Sequence, residues 1–172
     1  LSGFDNAYFL LKNDLCEDDC VMLFIHNQKI NSSNLNNLKM EQQVKETVNR
    51  FLTAVKETDL QSLDLLVHPA IKWSQPGSNV LSGVKNTSEE VFGMVGKMFE
   101  ISANTLQLTA VKSIAAHGDQ VACLLSWQAT RPDGAKLIVD NIDVYTVKDG
   151  KIIGVVVYST DVNAENLFWG SN

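Results

Sequence analysis

A change of hydrophobic period in mid-chain constrains this sequence more than any other feature. Up to about Phe99 apolar residues recur mainly at helical spacing; from Leu106 onward they alternate with polar ones. Val44, Val48, Phe51, Leu52 and Val55 form one stripe of a first helix that starts at about Met40. Asp59 is placed to cap a shorter second helix carrying Leu60, Leu63, Leu66 and Val67, which Pro69 ends. Ile71 to Gln75 reads as a short strand before the Pro76-Gly77 turn, and Val80-Leu81 as a second extended piece. Thr87-Ser88-Glu89-Glu90 is a capping box opening a third helix, with Val91, Phe92, Val95, Met98 and Phe99 on one face. Gly93 and Gly96 lie one turn apart in it. Each costs about 1 kcal/mol relative to Ala, which either a close approach of sheet or ligand or plain tolerance would account for.

Four extended runs follow. Leu106, Leu108 and Ala110 share a face; so do Val121, Cys123, Leu125 and Trp127. Leu137 to Val147 is a long strand, and Ile152 to Tyr158 is nearly all apolar, as expected of a strand covered on both faces. Gly118-Asp119, Arg131-Pro132-Asp133-Gly134 and Asp149-Gly150 separate the runs as turns, which implies an antiparallel meander. Helices first and strands after give an α+β domain with the helices on one face of the sheet. Asp161 caps a short tail helix ending in Leu167-Phe168-Trp169, whose apolar residues would cover a pocket mouth or a dimer seam.

Of the 172 residues, 45 % are hydrophobic and 20 % charged, a globular rather than a disordered mix. Fourteen basic against 20 acidic residues, a net charge of −6, argue against a nucleic-acid partner. No uninterrupted apolar stretch approaches ~20 residues, so no membrane span is expected. Three cysteines are too few for a disulfide scaffold, and a reducing, cytoplasmic setting is the simpler expectation. Residues 1–39 differ in character, with seven Asn, an acidic run from Cys16 to Cys20, and apolar clusters at Tyr8–Leu11 and Val21–Ile25. They read as an N-terminal extension outside a functional domain at 40–172, joined by a linker from Asn31 to Asn37. Acids interrupt the apolar stretch, which rejects a secretory signal. The Cys-x₃-Cys pair has no second pair at ligand spacing, and His68 and His117 read as capping or surface residues, so no metal is expected. There is no Gly-rich phosphate loop and no Ser/His/Asp pattern; no cofactor is expected.

Three segments stand in a telling order: Val48-Asn49-Arg50-Phe51-Leu52 with Thr58-Asp59-Leu60, then Gln75-Pro76 with Ser82-Gly83, then Ile142-Asp143-Val144-Tyr145 with Asp149-Gly150-Lys151-Ile152. Together, from about Met40 to Trp169, they resemble the nuclear transport factor 2-like superfamily, and within it SnoaL-like and ketosteroid isomerase-like domains. The resemblance implies a cone-shaped, cystatin-like fold, a curved antiparallel sheet with three helices packed on its concave face. It also implies a small hydrophobic ligand in the cone, a homodimer formed through the outer face of the sheet, and cofactor-independent isomerase, dehydratase or cyclase chemistry. Ketosteroid isomerases carry a Tyr, a proton-shuttling Asp and a second, protonated Asp; the matching positions here are Phe51, Gln75 and Asp143. Phe51 has no hydroxyl, and the Gln75 amide is no base at neutral pH. Steroid isomerisation by the family mechanism is therefore not expected.

Asp143 shares its strand face with Val139, Asn141 and Tyr145. Facing an apolar cone, it would be desolvated, raised in pKa, and able to act as a general acid or hydrogen-bond donor. The alternative is a structural residue satisfied by Trp127, Tyr145 or a water. Gln75, on the face of Trp73, would hydrogen-bond a substrate carbonyl or else anchor the turn. Phe51, Trp73, Phe92, Trp127 and Tyr158, with Asn141 and Tyr145, would wall a pocket for an apolar, cyclic small molecule. Cys123 reads as a buried small hydrophobe. Two functions are open: an acid–base enzyme using Asp143 and Gln75, or a non-catalytic ligand-binding or dimeric assembly module, which the loss of two isomerase residues favours.

Overall fold

The computed structural model describes residues 32–170. The Cys16–Cys20 run and both leading apolar clusters lie outside the described residues. Helix α1 is Ser32–Glu57, α2 Leu60–Leu66 and α3 Ser88–Ile101, with a tail helix α4 at Val162–Trp169. The strands are β1 (Val67–Gln75), β2 (Gly83–Lys85), β3 (Gln107–His117), β4 (Gln120–Thr130), β5 (Lys136–Lys148) and β6 (Lys151–Ser159).

Helix α1 buries the expected stripe, with Val44, Val48, Phe51 and Leu52 inside. It starts earlier than Met40: residues 32–37, expected as a linker, are helical. Leu35, Leu38 and Met40 are exposed there, so no apolar stripe announces those turns. Thr58 turns at positive φ, and Asp59 caps α2 by accepting from the Ser62 amide at 3.1 Å. Val67, expected at the end of α2, opens β1 instead, and Pro69 lies inside β1 where its pairing slips between Val67 and Lys72. The second extended piece lies at Gly83–Lys85 rather than at Val80-Leu81. Thr87 caps α3, accepting from the Glu90 amide at 3.2 Å, while Glu90 reaches back to the Asn86 amide at 2.6 Å.

The six strands form one sheet in the order β2-β1-β6-β5-β4-β3. All neighbours are antiparallel except β1 and β6, which run parallel. Register slips in β3–β4 at Leu108/Ala110 and Val111/Ser113, and in β5–β6 at Thr146/Val147, bend the sheet. The core lies between its inner face and the helices. Cys123, Asp143 and Val157 form one cross-strand row on that face, and Val121, Tyr145, Val155 and Trp73 the next. This is the expected α+β, cystatin-like architecture. The β6 run is not covered on both faces, however. Ile152, Val155 and Val157 are buried, while Val156 and Tyr158 face outward. None of the described helices is long and apolar enough to cross a membrane.

Candidate functional site

Between the inner face of the sheet and the helices is a cavity of about 560 Å³. Helix α1 presents Phe51 to it, α3 presents Phe92 and Met94, and the sheet contributes Trp73, Gln75, Trp127, Asn141, Asp143 and Tyr145. Tyr158 is not among its walls: the strand period turns it to the outer face, where it is 58 % exposed, and Val157 lines the cavity in its place. Gly93 and Gly96 serve no close approach, because a Cβ at either would meet open space.

Asp143 is the polar centre of the cavity. It is buried, and its Oδ2 accepts a hydrogen bond from the Tyr145 hydroxyl at 3.0 Å. Its Oδ1 has no hydrogen-bond partner among the described residues. Of the two side chains considered from sequence, Tyr145 partners it and Trp127 does not. Burial is the main cause that lifts the Asp143 carboxyl to about 7; the Tyr145 hydrogen bond opposes the rise and the charge of Glu165 adds to it. Burial also pushes the Tyr145 hydroxyl well above its ordinary value, and the Cys123 thiol up to about 12. Cys123 sits directly across the β4–β5 pair from Asp143. Its raised pKa marks an inert buried thiol rather than a nucleophile.

Tyr145 itself packs against Phe51, ring centroids 5.6 Å apart and tilted at 59°. The hydroxyl that Phe51 lacks thus reaches Asp143 from β5. Gln75 Oε1 accepts from the Trp73 indole at 3.1 Å, which orients the rest of the amide. Among the described residues no group of three or more His, Cys, Asp or Glu side chains is arranged to hold a metal ion.

Sequence reasoning missed Glu165. It stands in the first turn of α4, is 2 % exposed, and lines the cavity. Burial raises its pKa, with Ser159 and Asn141 hydrogen bonds opposing. The Asn141 amide nitrogen donates to the Asp140 carbonyl at 2.8 Å and to Glu165 Oε1 at 3.2 Å; the reverse orientation would set its oxygen against two acceptors. One signal was legible: Glu165 precedes Phe168 and Trp169 by three and four residues, which places it on the helix face those buried aromatics occupy.

Residues 48–155 match the family model for the SnoaL-like domain. No curated protein matches the chain significantly. Among solved structures, a protein of unknown function with a cystatin-like fold from Xanthomonas campestris is 31 % identical, with a TM-score of 0.71, covering 74 % of this chain and 98 % of its own. Bal32a, from a soil-derived mobile gene cassette, is 24 % identical with a TM-score of 0.72, covering 76 % and 99 %. TerC, co-crystallised with polyporic acid, is 18 % identical with a TM-score of 0.65, covering 74 % and 99 %. With the α+β cone, the inner-face cavity and a family match over most of the domain, this chain belongs to the SnoaL-like domain family.

Proposed function

We propose that this protein binds a small apolar, carbonyl-bearing molecule in the cavity and transforms it by cofactor-independent acid–base chemistry, as an isomerase, dehydratase or cyclase. The observation that carries this reading is the buried, unpartnered Oδ1 of Asp143 in an aromatic-walled cavity. Leaving such an atom without a partner costs on the order of 1–3 kcal/mol, which a substrate oxygen would recover. Below about pH 7 Asp143 is neutral and donates to that oxygen, and its proton stabilises charge developing there. With its oxygen held by Trp73, Gln75 offers its amide nitrogen as a second, positioning donor. The co-crystallisation of TerC with polyporic acid supports small-molecule binding on this fold.

A thermal-shift screen against planar hydrophobic ketones and polyketide-like compounds tests this. Wild type should be stabilised by members of the panel, and Asp143→Leu, which keeps the outline of the side chain but can donate no hydrogen bond, should lose that stabilisation while remaining folded. Binding without turnover would instead identify a non-catalytic module. Equal stabilisation of both proteins would remove Asp143 from the site.

The outer face of the sheet supports a homodimer as the assembled form. Leu124, Ile142 and Tyr158 stand side by side across β4, β5 and β6, and Ala122, Val144 and Val156 form the adjacent row. Parallel apolar rows are self-complementary about a two-fold axis, as a second copy requires.

A further inference from the structure

The reading above leaves one buried carboxyl unused and one chemical role unfilled. Position 75, where the resemblance implies a base, holds a Gln. The unused carboxyl is Glu165, which lines the same cavity as Asp143. Capping does not account for it, because Asp161 caps α4, its Oδ1 accepting from the Ala164 amide at 2.9 Å. Among the described residues no ion pair involves Glu165 or Asp143. Burying a carboxylate without a cation is expensive, yet the helix that carries it is firmly seated. Asn166 Oδ1 accepts from the Ser78 amide at 2.8 Å and from Asn79 Nδ2 at 3.0 Å. Arg131 donates to the Phe168 carbonyl at 3.1 Å, and the Val80 amide to the Gly170 carbonyl at 3.1 Å.

We propose that Glu165 is the general base of this cavity, paired across Asn141 with Asp143 as the acid, and that the pair enolises a ketone bound between them. The proposal rests on the small-molecule, acid–base reading of the cavity. Asn141 stands beside both: it donates to Glu165 and lies two residues before Asp143 on the same face of β5. Hydrogen bonds donated by Asn141 and Ser159 favour the charged form of Glu165. Asp143 has one donor, Tyr145, and an Oδ1 open to carry the proton. The other titratable groups acting on the pair are Cys123 and Tyr145 beside Asp143, and Asp161 near Glu165. None of these is a cation.

The step balances within the pair. Glu165 takes the proton from the carbon next to the carbonyl, the C–H electrons form the new C=C bond, and the carbonyl π electrons move to oxygen, which takes the Asp143 proton. Return of the Glu165 proton to the same carbon, and of the enol proton to Asp143, restores the ketone; where a C=C bond lies next to that carbon, return of the proton to the far end of the resulting dienol instead moves the double bond and completes an isomerisation with nothing consumed.

Two measurements test this, with α-tetralone as probe ketone. Its hydrogen–deuterium exchange in heavy water, above the buffer rate, reports enolisation; NMR of labelled Asp carboxyls reports the titration of Asp143. In Glu165→Gln, whose amide oxygen still accepts from Asn141, exchange should fall about a hundredfold or more while α-tetralone affinity is kept. The titration of Asp143 should move down as the neighbouring charge disappears, while burial keeps it above the ordinary carboxylate range. In Glu165→Asp, which keeps the charge but withdraws it by one methylene, exchange should fall while Asp143 still titrates high. Wild-type exchange rates in both variants would overturn Glu165 as the base and leave the acid–base reading standing. α-Tetralone bound by wild type without exchange would overturn that reading itself. An Asp143 titration unchanged in Glu165→Gln, with or without the ketone, would overturn the pairing.

Discussion

Asp143 is kept neutral well above the ordinary carboxylate range chiefly by burial, and this has a consequence for stability. The unfolded chain ionises this carboxyl near 3.8 and the folded chain near 7, so between those values the native state binds one proton more. Its stabilising contribution is full below the unfolded pKa, declines as pH rises toward about 7, and levels off above it. Glu165, also raised, acts in the same sense. The Asp143 contribution to that slope is on the order of 4 kcal/mol across the interval. Asp143→Asn should flatten most of it, so that urea midpoints measured just above the ordinary carboxylate value and above neutrality differ much less than in wild type. An undiminished slope in the variant would assign the pH dependence to other groups. From sequence, Asp143 stood out through the resemblance of its strand to the isomerase motif, and strand alternation then placed it beside Tyr145 and Asn141. It put Tyr158 on the wrong face because an all-apolar strand has no polar partner residues to reveal its parity.

Among the elements, the helix starts at Asp59, Thr87 and Asp161 were legible because a cap is a contact between residues three apart, written wholly in local sequence. The start of α1 was not, since an exposed polar helix carries no stripe to mark it. Helix α3 carries two avoidable costs. Gly93 and Gly96 are exposed, and an added methyl at either meets nothing within 4 Å. Gly93→Ala and Gly96→Ala should each stabilise the protein by about 1 kcal/mol, read as a raised denaturation midpoint with unchanged m. A loss of stability at either position would show that the glycine has a role in the native ensemble beyond open space. Helix α4 shows the limit of element-level reading. Its cap was evident, but the burial of Glu165 depends on the seat that Arg131 and the Ser78–Val80 segment provide.

For the whole molecule, the outer sheet face leaves Ile138 81 % and Tyr158 58 % exposed, beside a Lys112–Asp140 ion pair at 2.6 Å that neutralises its own charge. A second copy on this face should make sedimentation at micromolar concentration report a dimer, and Tyr158→Lys should give a folded monomer. A monomeric wild type would refute the dimer and leave the cavity chemistry untouched, because Gln75, Asn141, Asp143 and Tyr145 lie on the opposite face of the sheet. The α+β class, the helix caps, the meander and the apolar stripe of α1 are all legible along the chain. All of these rest on interactions a few residues apart, or on a period that one face of an element repeats. Long-range packing settles the rest: Glu165 shares a cavity with Asp143, Tyr145 rather than position 51 supplies the hydroxyl, and Val157 rather than Tyr158 faces inward. Each of those outcomes depends on how the sheet bends and where a distant helix docks, and packing between remote segments leaves no local pattern to read.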